Sequence, residues 1–186
     1  MSTYAIGDIH GGLKALLQVL NKLEIKEEDT LIFMGDYVDG WSESAQVIDF
    51  LINLSERFNC IIIKGNHDFW CQNWLESDAV HPSWYMHGGK ETMESYEGFS
   101  DEKRHQHLLF LENLPLYHLD AQNRLFLHAG FTSVHGVEHE KFEELFYLDR
   151  SLWEMLLVMD KNIQKASMFY PKRLLHQQRT TTSLRQ

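Results

Sequence analysis

The sequence of 186 residues is poor in cysteine, with Cys60 and Cys71 as the only two. Two cysteines cannot form the disulfide framework of a small secreted domain, so that class is excluded and we expect free thiols. The sequence also lacks an apolar run near the ~20 residues that a membrane-spanning helix needs. Its N-terminal residues lack the basic region and apolar stretch of a signal peptide. We therefore expect a cytoplasmic protein with no membrane partner.

Basic residues are also scarce: 17 Lys and Arg face 27 Asp and Glu, and the formal net charge is −10. This balance argues against a protein that coats nucleic acid, so we expect no nucleic-acid partner. The apolar fraction of 44% can fill a sizeable core and excludes global disorder. Residues 161–186 contain six basic residues and no acidic one. We expect one domain over residues 1–170 and a basic tail, disordered or aberrant, over 171–186.

The first half of the sequence alternates short apolar runs with amphipathic segments. The predicted strands are residues 3–6, 30–34 and 60–63. Leucines at helical spacing predict a helix over residues 13–23, and Ser42 can cap a second helix that continues to about Glu56. Successive β-then-α units predict a sheet with parallel strands and right-handed crossovers.

The second half breaks this alternation. Residues 78–100 are rich in Gly, His and aromatics, which predicts an excursion over the sheet. We expect helices over 102–113 and 151–159, and an antiparallel hairpin with a polar loop over 116–127. The fold class is therefore α/β with an antiparallel part. The aromatic residues expected to pack, or alternatively to line a substrate groove, are Trp70, Trp74, Trp84 and Tyr85.

Each predicted strand of the first half ends in a glycine that precedes a potential metal ligand. Asp8 and His10 follow the first run, Asp36 the second and Asn66 the third, and a fourth apolar run ends at His128. Ligand sites of open α/β sheets lie beyond the carboxyl ends of the strands, so we expect these side chains to meet there. Carboxylate, imidazole and amide oxygen together suit a divalent metal such as Mn, Fe or Zn.

Three of these junctions carry longer motifs. They read Gly7-Asp8-Ile9-His10-Gly11, Gly35-Asp36-Tyr37-Val38-Asp39 and Gly65-Asn66-His67-Asp68. In this order the motifs resemble the metallophosphoesterase superfamily, and specifically its phosphoprotein-phosphatase-like branch of serine/threonine protein phosphatases and symmetrical bis-nucleosyl tetraphosphatases. The resemblance covers roughly residues 3–160. It implies an α/β fold of the calcineurin-like type, a β-sandwich of mixed sheets flanked by helices.

The resemblance also implies two divalent ions, with Mn as the main expectation and Fe or Zn as alternatives. The ligands carried over from the motifs are Asp8, His10 and Asp36 for one ion and Asp36, Asn66 and His128 for the other. Asp36 would bridge the ions, which would activate a shared water as hydroxide for attack on phosphorus. His87-Gly88-Gly89 matches the family's His-Gly-Gly motif literally, but His128 is preferred because it follows a predicted strand. We expect His87 in a loop near the mouth of the site.

Catalytic and substrate-binding residues follow from the same resemblance. His67 would protonate the leaving alkoxide, and Asp39 would orient its imidazole. The family's phosphate-clamping Arg is replaced here by Gly40, which offers no side chain to a phosphate. Arg150 is a candidate substitute, with a surface ion pair as the alternative. Lys64 is another candidate, with a structural role as the alternative.

The family places a further metal-binding His near the C-terminus, within a Gly-His-Thr motif that this sequence lacks. His176 lies in the basic ending without a matching context. We therefore interpret the ending as a truncated or frame-shifted C-terminus, in which the second ion lacks one ligand and the C-terminal strands are missing. Metal affinity and stability are then both expected to drop.

The main functional prediction is a metal-dependent phosphatase that hydrolyses phosphomonoesters, on phosphoserine and phosphothreonine of proteins or on small phosphorylated compounds. One alternative is a symmetrical bis-nucleosyl tetraphosphate hydrolase, which would cleave a phosphoanhydride with the same metals. The other is a catalytically impaired metal-binding or interaction module, which Gly40 and the missing histidine motif favour. The expected partner is a phosphorylated protein or small molecule, and the sequence indicates no oligomeric state.

Overall fold

A computed structural model describes residues 1–159, and residues 1–149 form one compact unit. Its elements are β1 (Thr3–Ile6), α1 (Leu13–Lys22), β2 (Thr30–Phe33), α2 (Ser44–Ser55), β3 (Asn59–Ile62), α3 (Asn66–Ser77), α4 (Pro82–Trp84), α5 (Lys90–Ser95), α6 (Asp101–Glu112), β4 (Tyr117–Leu119), β5 (Leu125–Leu127) and α7 (Leu145–Leu148). The second unit begins at Arg150, and its described part contains α8 (Ser151–Met159). The predicted domain boundary at 170, the tail over 171–186 and His176 lie outside the described residues.

The parallel sheet has the strand order β1-β2-β3. Thr3 pairs with Thr30, and Thr30 in turn pairs with Asn59, so the three strands start level and run in the same direction. The predicted strands and their parallel pairing are confirmed. Because the strands are parallel, the three glycine-ligand junctions that follow them lie at one edge of the sheet.

The central strand β2 is the most deeply buried part of this sheet. Leu31 and Phe33 are fully buried, and both belong to the hydrophobic core. Ile48 and Leu51 of α2 join the same core, as helical spacing predicts for one face of an amphipathic helix. Helix α3 packs against α6, the helix that precedes the antiparallel strands in the chain.

The start of α2 differs from the prediction, because the helix begins at Ser44 and Ser42 does not cap it. The residues before the helix are tied to the first junction instead: the amides of Trp41 and Glu43 donate to the carbonyls of His10 and Gly11. These bonds hold the chain in a turn until residue 43, so the helix starts one residue later than a cap at Ser42 suggests. The turn brings residues 36–43 onto the loop that carries His10.

The excursion predicted over 78–100 is largely helical. After α4 the chain makes one π-helical turn over Tyr85–Gly89 and continues directly into α5. Gly88 in that turn has a φ of 107°, which a residue with a side chain adopts only at a cost. The glycines of this segment therefore mark a kink between two short helices. Helix α3, the helix of the third β-then-α unit, has no predicted bounds and begins at Asn66, a predicted ligand.

The antiparallel hairpin is confirmed. Tyr117 pairs with Leu127, and the loop between β4 and β5 is closed by the Asp120 carboxylate, which accepts from the amides of Gln122 and Arg124. Strand β5 ends immediately before His128. The α/β class with an antiparallel part is therefore confirmed, and the hairpin places the predicted ligand His128 directly after β5.

Cys60 and Cys71 are both free thiols, as expected. Cys71 is fully buried in the core, and burial raises the pKa of its thiol well above the ordinary value. Within the described part of the chain, none of the helices has the length and apolar character needed to cross a membrane.

Candidate metal centre

Two clusters of potential metal ligands meet at the carboxyl edge of the parallel sheet. One contains His10, Asp36 and His67, and the other contains Asp8, Asp36 and His128. Within each cluster the ligand atoms all lie within 4.8 Å of one another. Asp36 belongs to both clusters, and a carboxylate with two oxygens can serve two ions at once.

The shared carboxylate lies between two imidazoles. Oδ2 of Asp36 is 3.4 Å from Nε2 of His128 and 3.8 Å from Nε2 of His10. Asp36 is 4% exposed, whereas the side chain of Asp8 is 56% exposed and borders solvent. Nε2 of His10 also lies 3.9 Å from a carboxylate oxygen of Asp8. Asp36 is thus a buried carboxylate between two imidazoles, and Asp8 is a more exposed carboxylate beside it.

Backbone carbonyls orient the two imidazoles. Nδ1 of His128 lies 2.8 Å from the carbonyl oxygen of Met34, and Nδ1 of His10 lies 3.1 Å from that of Val38. A carbonyl oxygen only accepts, so in both rings Nδ1 carries the proton. In the neutral ring Nε2 then presents a lone pair, as a metal-ligating histidine requires.

Three acceptor atoms converge in the second cluster. Oδ1 of Asn66 lies 3.2 Å from Nε2 of His128, and Oδ2 of Asp36 lies 3.4 Å from the same nitrogen. With Nδ1 of His128 protonated, the neutral ring has no hydrogen to give either oxygen. Three lone pairs that face one another this closely repel unless a proton or a cation lies among them. The residues present therefore fit a divalent ion, and carboxylate, amide and imidazole form a donor set typical of Mn, Fe or Zn.

Glycine is required at two junctions because the chain segments touch. A Cβ placed on Gly35 would lie 2.7 Å from Nδ1 of His128, and Gly35 also has a φ of 101°. A Cβ on Gly65 would crowd the Asp36 carboxylate. Asp36 itself has a φ of 57°, an uncommon conformation for a residue with a side chain. Strained backbone positions persist only where the surrounding structure holds them, and they are concentrated at functional sites.

Asp68 holds the backbone at Asp36 in place and was not among the residues predicted from the sequence. Its buried carboxylate accepts from the amides of Asp36, Tyr37 and Gly65, each at 2.8 Å. Burial and the nearby charge of Asp36 raise the pKa of Asp68, while the three amide hydrogen bonds oppose that rise. The sequence holds one signal for this role, because Asp68 is the third residue of α3, where a carboxylate caps the helix start.

His67, a member of the first cluster, forms a close pair with Asp39. Nδ1 of His67 lies 2.6 Å from Oδ2 of Asp39, and the His67 ring meets the Trp70 ring edge-on at 4.9 Å. Burial disfavours the charged ring, but the bond to Asp39 and the charge of Asp36 outweigh it and raise the pKa of His67. The pair has the geometry of a proton donor with its orienting carboxylate.

The candidate phosphate-binding residues are placed differently from the ligands. The Lys64 ammonium donates to Oε1 of Gln72 at 2.9 Å and to the carbonyl of Glu112 at 3.4 Å, so it joins α3 to the end of α6. Arg150 begins the second unit, and its role as a clamp stays a prediction. His87 is exposed in the π-helical turn, and neither ligand cluster includes it.

The calcineurin-like phosphoesterase family matches residues 1–173 of the chain. A symmetrical bis(5'-nucleosyl)-tetraphosphatase of Marinomonas sp. (strain MWYL1) is 32% identical over 132 residues, which cover 70% of this chain and 44% of the relative. The asymmetrical bis(5'-nucleosyl)-tetraphosphatase PrpE of Oceanobacillus iheyensis is 31% identical over 139 residues, which cover 67% of this chain and 54% of the relative.

Among solved structures, a protein serine/threonine phosphatase of Saccharomyces cerevisiae with similarity to human phosphatase PP5 has a TM-score of 0.55 at 24% identity. The match covers 77% of this chain and 43% of that one. At this identity the likeness concerns the fold, which is of the calcineurin-like type. The chain spans about half the length of the relatives it matches.

Proposed function

The chain belongs to the calcineurin-like phosphoesterase family, and from that premise we propose that it is a metal-dependent hydrolase that cleaves bis(5'-nucleosyl) tetraphosphates symmetrically. Both curated relatives described above carry the tetraphosphatase name. Their names favour the tetraphosphatase hypothesis, which is the alternative in the sequence analysis, over phosphomonoester hydrolysis, which is the main prediction there. The chain spans about half the length of these relatives, so the activity of the whole protein is part of the proposal.

The sharing of Asp36 between two ligand clusters is the observation that carries this proposal. We propose that Asp8 and His10 hold one ion with Asp36, because Nε2 of His10 lies 3.9 Å from Asp8 and 3.8 Å from Asp36. Asn66 and His128 are proposed to hold the second ion with the same carboxylate. The two clusters divide these side chains differently, since Asp8 also lies near His128 and His67 near His10. When bound, two divalent ions supply the charge that activates water near neutral pH and clamps a phosphoryl group for in-line attack. Manganese is the expected metal, with iron or zinc as alternatives. That local positive charge lets a chain of net charge −10 bind an anionic substrate.

His67 is proposed to donate a proton from Nε2 to the oxygen that leaves phosphorus. Its other nitrogen is held by Asp39 at 2.6 Å, which fixes the ring orientation and favours the protonated ring. A nucleotide phosphate is a good leaving group, since its second pKa is about 6. An alkoxide is a poorer leaving group and depends more strongly on a proton donor. A proton donor able to assist an alkoxide can therefore also assist the departure of a nucleotide phosphate.

An exposed indole beside the site offers a surface for a nucleobase. Trp41 is 70% exposed, yet its backbone is fixed, because its amide donates to the carbonyl of the proposed ligand His10 at 2.9 Å. Its ring atom Cδ1 reaches to 4.0 Å of the position that a Cβ on Gly12 would take. Bases stack on aromatic side chains without hydrogen-bond readout. We propose that Trp41 stacks on one base of the substrate, whose phosphates then reach the ions.

The test is product analysis with diadenosine tetraphosphate in the presence of manganese. Water added at the central anhydride gives two molecules of ADP, and this is the expected result. Formation of ATP and AMP would show off-centre cleavage and would contradict the symmetrical assignment. No turnover, with a phosphopeptide hydrolysed under the same conditions, would contradict the tetraphosphatase proposal.

Hydrolysis of phosphoserine or phosphothreonine is the second candidate, and the His67–Asp39 pair favours it because serine leaves as an alkoxide. A binding module without turnover is the third, favoured by Gly40 in place of a phosphate-clamping arginine. Manganese titration alongside both substrates separates these candidates. Two bound ions with no hydrolysis of either substrate would support the module.

A further inference from the structure

The Asp39 carboxylate accepts hydrogen bonds from three side chains, although the proposed mechanism uses only one of them. Besides His67, the indole Nε1 of Trp84 donates to Oδ2 at 2.8 Å, and the hydroxyl of Thr92 donates to Oδ1 at 2.6 Å. Asp39 is 1% exposed, and Trp84 and Thr92 are buried as well. Neither Trp84 nor Thr92 belongs to a ligand cluster.

We propose that Trp84 and Thr92 are positioning residues for proton delivery, and that they act on His67 through Asp39. The inference rests on the proposed role of His67 as the proton donor. An indole N–H can only donate, and a free carboxylate can only accept, so each of the two bonds has a single possible direction. Together they fix both oxygens of Asp39, and a fixed carboxylate fixes the ring that it holds.

Thr92 also holds the backbone from which the Asp39 side chain projects. The amide of Asp39 lies 2.9 Å from the Thr92 hydroxyl oxygen and 3.0 Å from that of Ser44. Asp39 has a φ of 72°, which a residue with a side chain adopts only at a cost. One threonine therefore anchors both ends of Asp39, its strained backbone amide and its carboxylate.

The segment between Trp84 and Thr92 is shaped to reach Asp39. A Cβ on Gly88 would lie 3.0 Å from Cβ of Asp39, and a Cβ on Gly89 would lie 2.5 Å from atoms of the Trp84 ring. The two glycines thus allow the π-helical turn to press against the turn that follows β2, with Trp84 folded over it. This contact assigns a role to the His87-Gly88-Gly89 motif in which the glycines, and not the histidine, matter.

Leaving-group dependence tests the inference in the manganese-loaded protein. Aryl phosphates serve as probes, because 2,4-dinitrophenolate leaves without a proton and phenolate benefits from one. Trp84→Phe and Thr92→Val are expected to lower kcat on phenyl phosphate by about tenfold, a fraction of the 10²–10⁴-fold that general acid catalysis contributes. On dinitrophenyl phosphate the same variants are expected to change kcat by less than about twofold. Thr92→Ser keeps the hydroxyl and should restore the wild-type ratio.

Ser95→Ala is the matched control. Ser95 lies in the same helix as Thr92 and is buried, but its hydroxyl bonds to the amide of Ala45 and the carbonyl of Thr92 and does not reach Asp39. Its loss should lower stability and leave the ratio between the two substrates unchanged. Equal losses on both substrates in Trp84→Phe and Thr92→Val, or no loss on phenyl phosphate, would overturn the inference.

A second readout is independent of turnover. In the metal-free protein labelled with ¹⁵N-histidine, the proton on Nδ1 of His67 should give a resolved signal in the wild type, Thr92→Ser and Ser95→Ala. In Trp84→Phe and Thr92→Val the signal should broaden or exchange with water. An unchanged signal in both variants would refute the positioning role. If the wild type shows this signal and does not hydrolyse diadenosine tetraphosphate, the proposed function fails while the positioning of His67 stands.

Discussion

Oδ2 of Asp36 lies 3.4 Å from Nε2 of His128, although Asp36 follows the central strand of the parallel sheet and His128 follows the antiparallel hairpin. Two separate parts of the fold thus contribute to one cluster. The contact depends on Gly35, whose missing side chain leaves room for the His128 ring. It also depends on the carbonyl of Met34, which turns Nε2 of that ring toward Asp36.

Gly35→Ala should break this contact. The new Cβ would lie 2.7 Å from Nδ1 of His128 on a backbone with a φ of 101°, so the variant suffers both a clash and strain. We expect the free energy of unfolding to fall by about 2–4 kcal/mol and manganese affinity to fall with it, as measured by urea unfolding and calorimetry.

Gly98→Ala is the matched control, because Gly98 has a φ of 82° and no atom within 4 Å of its would-be Cβ. Strain alone should cost this variant about 1 kcal/mol, and its manganese affinity should equal that of the wild type. Equal losses of stability and affinity in the two variants would show that the space beside His128 is unimportant.

Trp41→Ala should weaken the binding of substrates that contain a base. We expect KM for diadenosine tetraphosphate to rise about tenfold, since stacking of one base contributes about 1–3 kcal/mol. Trp41→Phe should retain most of the affinity. Inorganic tripolyphosphate has no base, so its KM should be the same in all three proteins.

Leu109→Ala controls for the loss of an exposed apolar side chain, because Leu109 is 45% exposed on α6, a helix that contributes no residue to either ligand cluster. It should leave both KM values unchanged. A rise in KM for tripolyphosphate in Trp41→Ala, equal to that for the dinucleotide, would contradict a stacking role.

His107 should make stability depend on pH. It is fully buried in α6, with Nε2 3.0 Å from Asp49 and Nδ1 2.9 Å from the Tyr96 hydroxyl. Burial lowers the pKa of His107, against the opposing effect of Asp49 and with a smaller contribution from Lys103. The folded state therefore binds this proton less readily than the unfolded state, whose histidine titrates near ~6.5. Stability is retained above that pH and lost below it.

Urea unfolding of the metal-free protein between pH 7.5 and 5.5 measures this effect. His107→Gln should flatten the slope by at most about 1.4 kcal/mol per pH unit, the contribution of one proton. His105→Gln alters an exposed histidine of the same helix and should keep the wild-type slope. An equal slope in the wild type and His107→Gln would rule out this assignment.

The proximity of the candidate ligands could be predicted because each follows a strand end. Parallel strands bring their carboxyl ends to one edge, so Asp8, Asp36 and Asn66, which are far apart along the chain, lie close together in space. The helices over 102–113 and 151–159 were likewise predictable from apolar spacing and are present as α6 and α8. Periodicity and punctuation by glycine are sufficient for these features.

The supporting residues could not be predicted in the same way. Trp84 and Thr92 lie in a segment of short helices without clear periodicity, and their partner Asp39 is distant in sequence. Asp68 is the last residue of a predicted motif, but its role depends on three backbone amides whose positions only the structure gives. A hydrogen bond between remote segments leaves no periodic signal in one sequence.

Manganese stoichiometry in Asp36→Asn tests the central claim, that one carboxylate serves two ions, most directly. The wild type should bind two ions per chain, whereas Asp8→Asn and His128→Asn should each retain one. Asp36→Asn should weaken both sites by more than about 100-fold, and His105→Asn should bind as the wild type does. If Asp36→Asn lost only one ion, or kept both, the shared carboxylate and the dinuclear centre built on it would be contradicted.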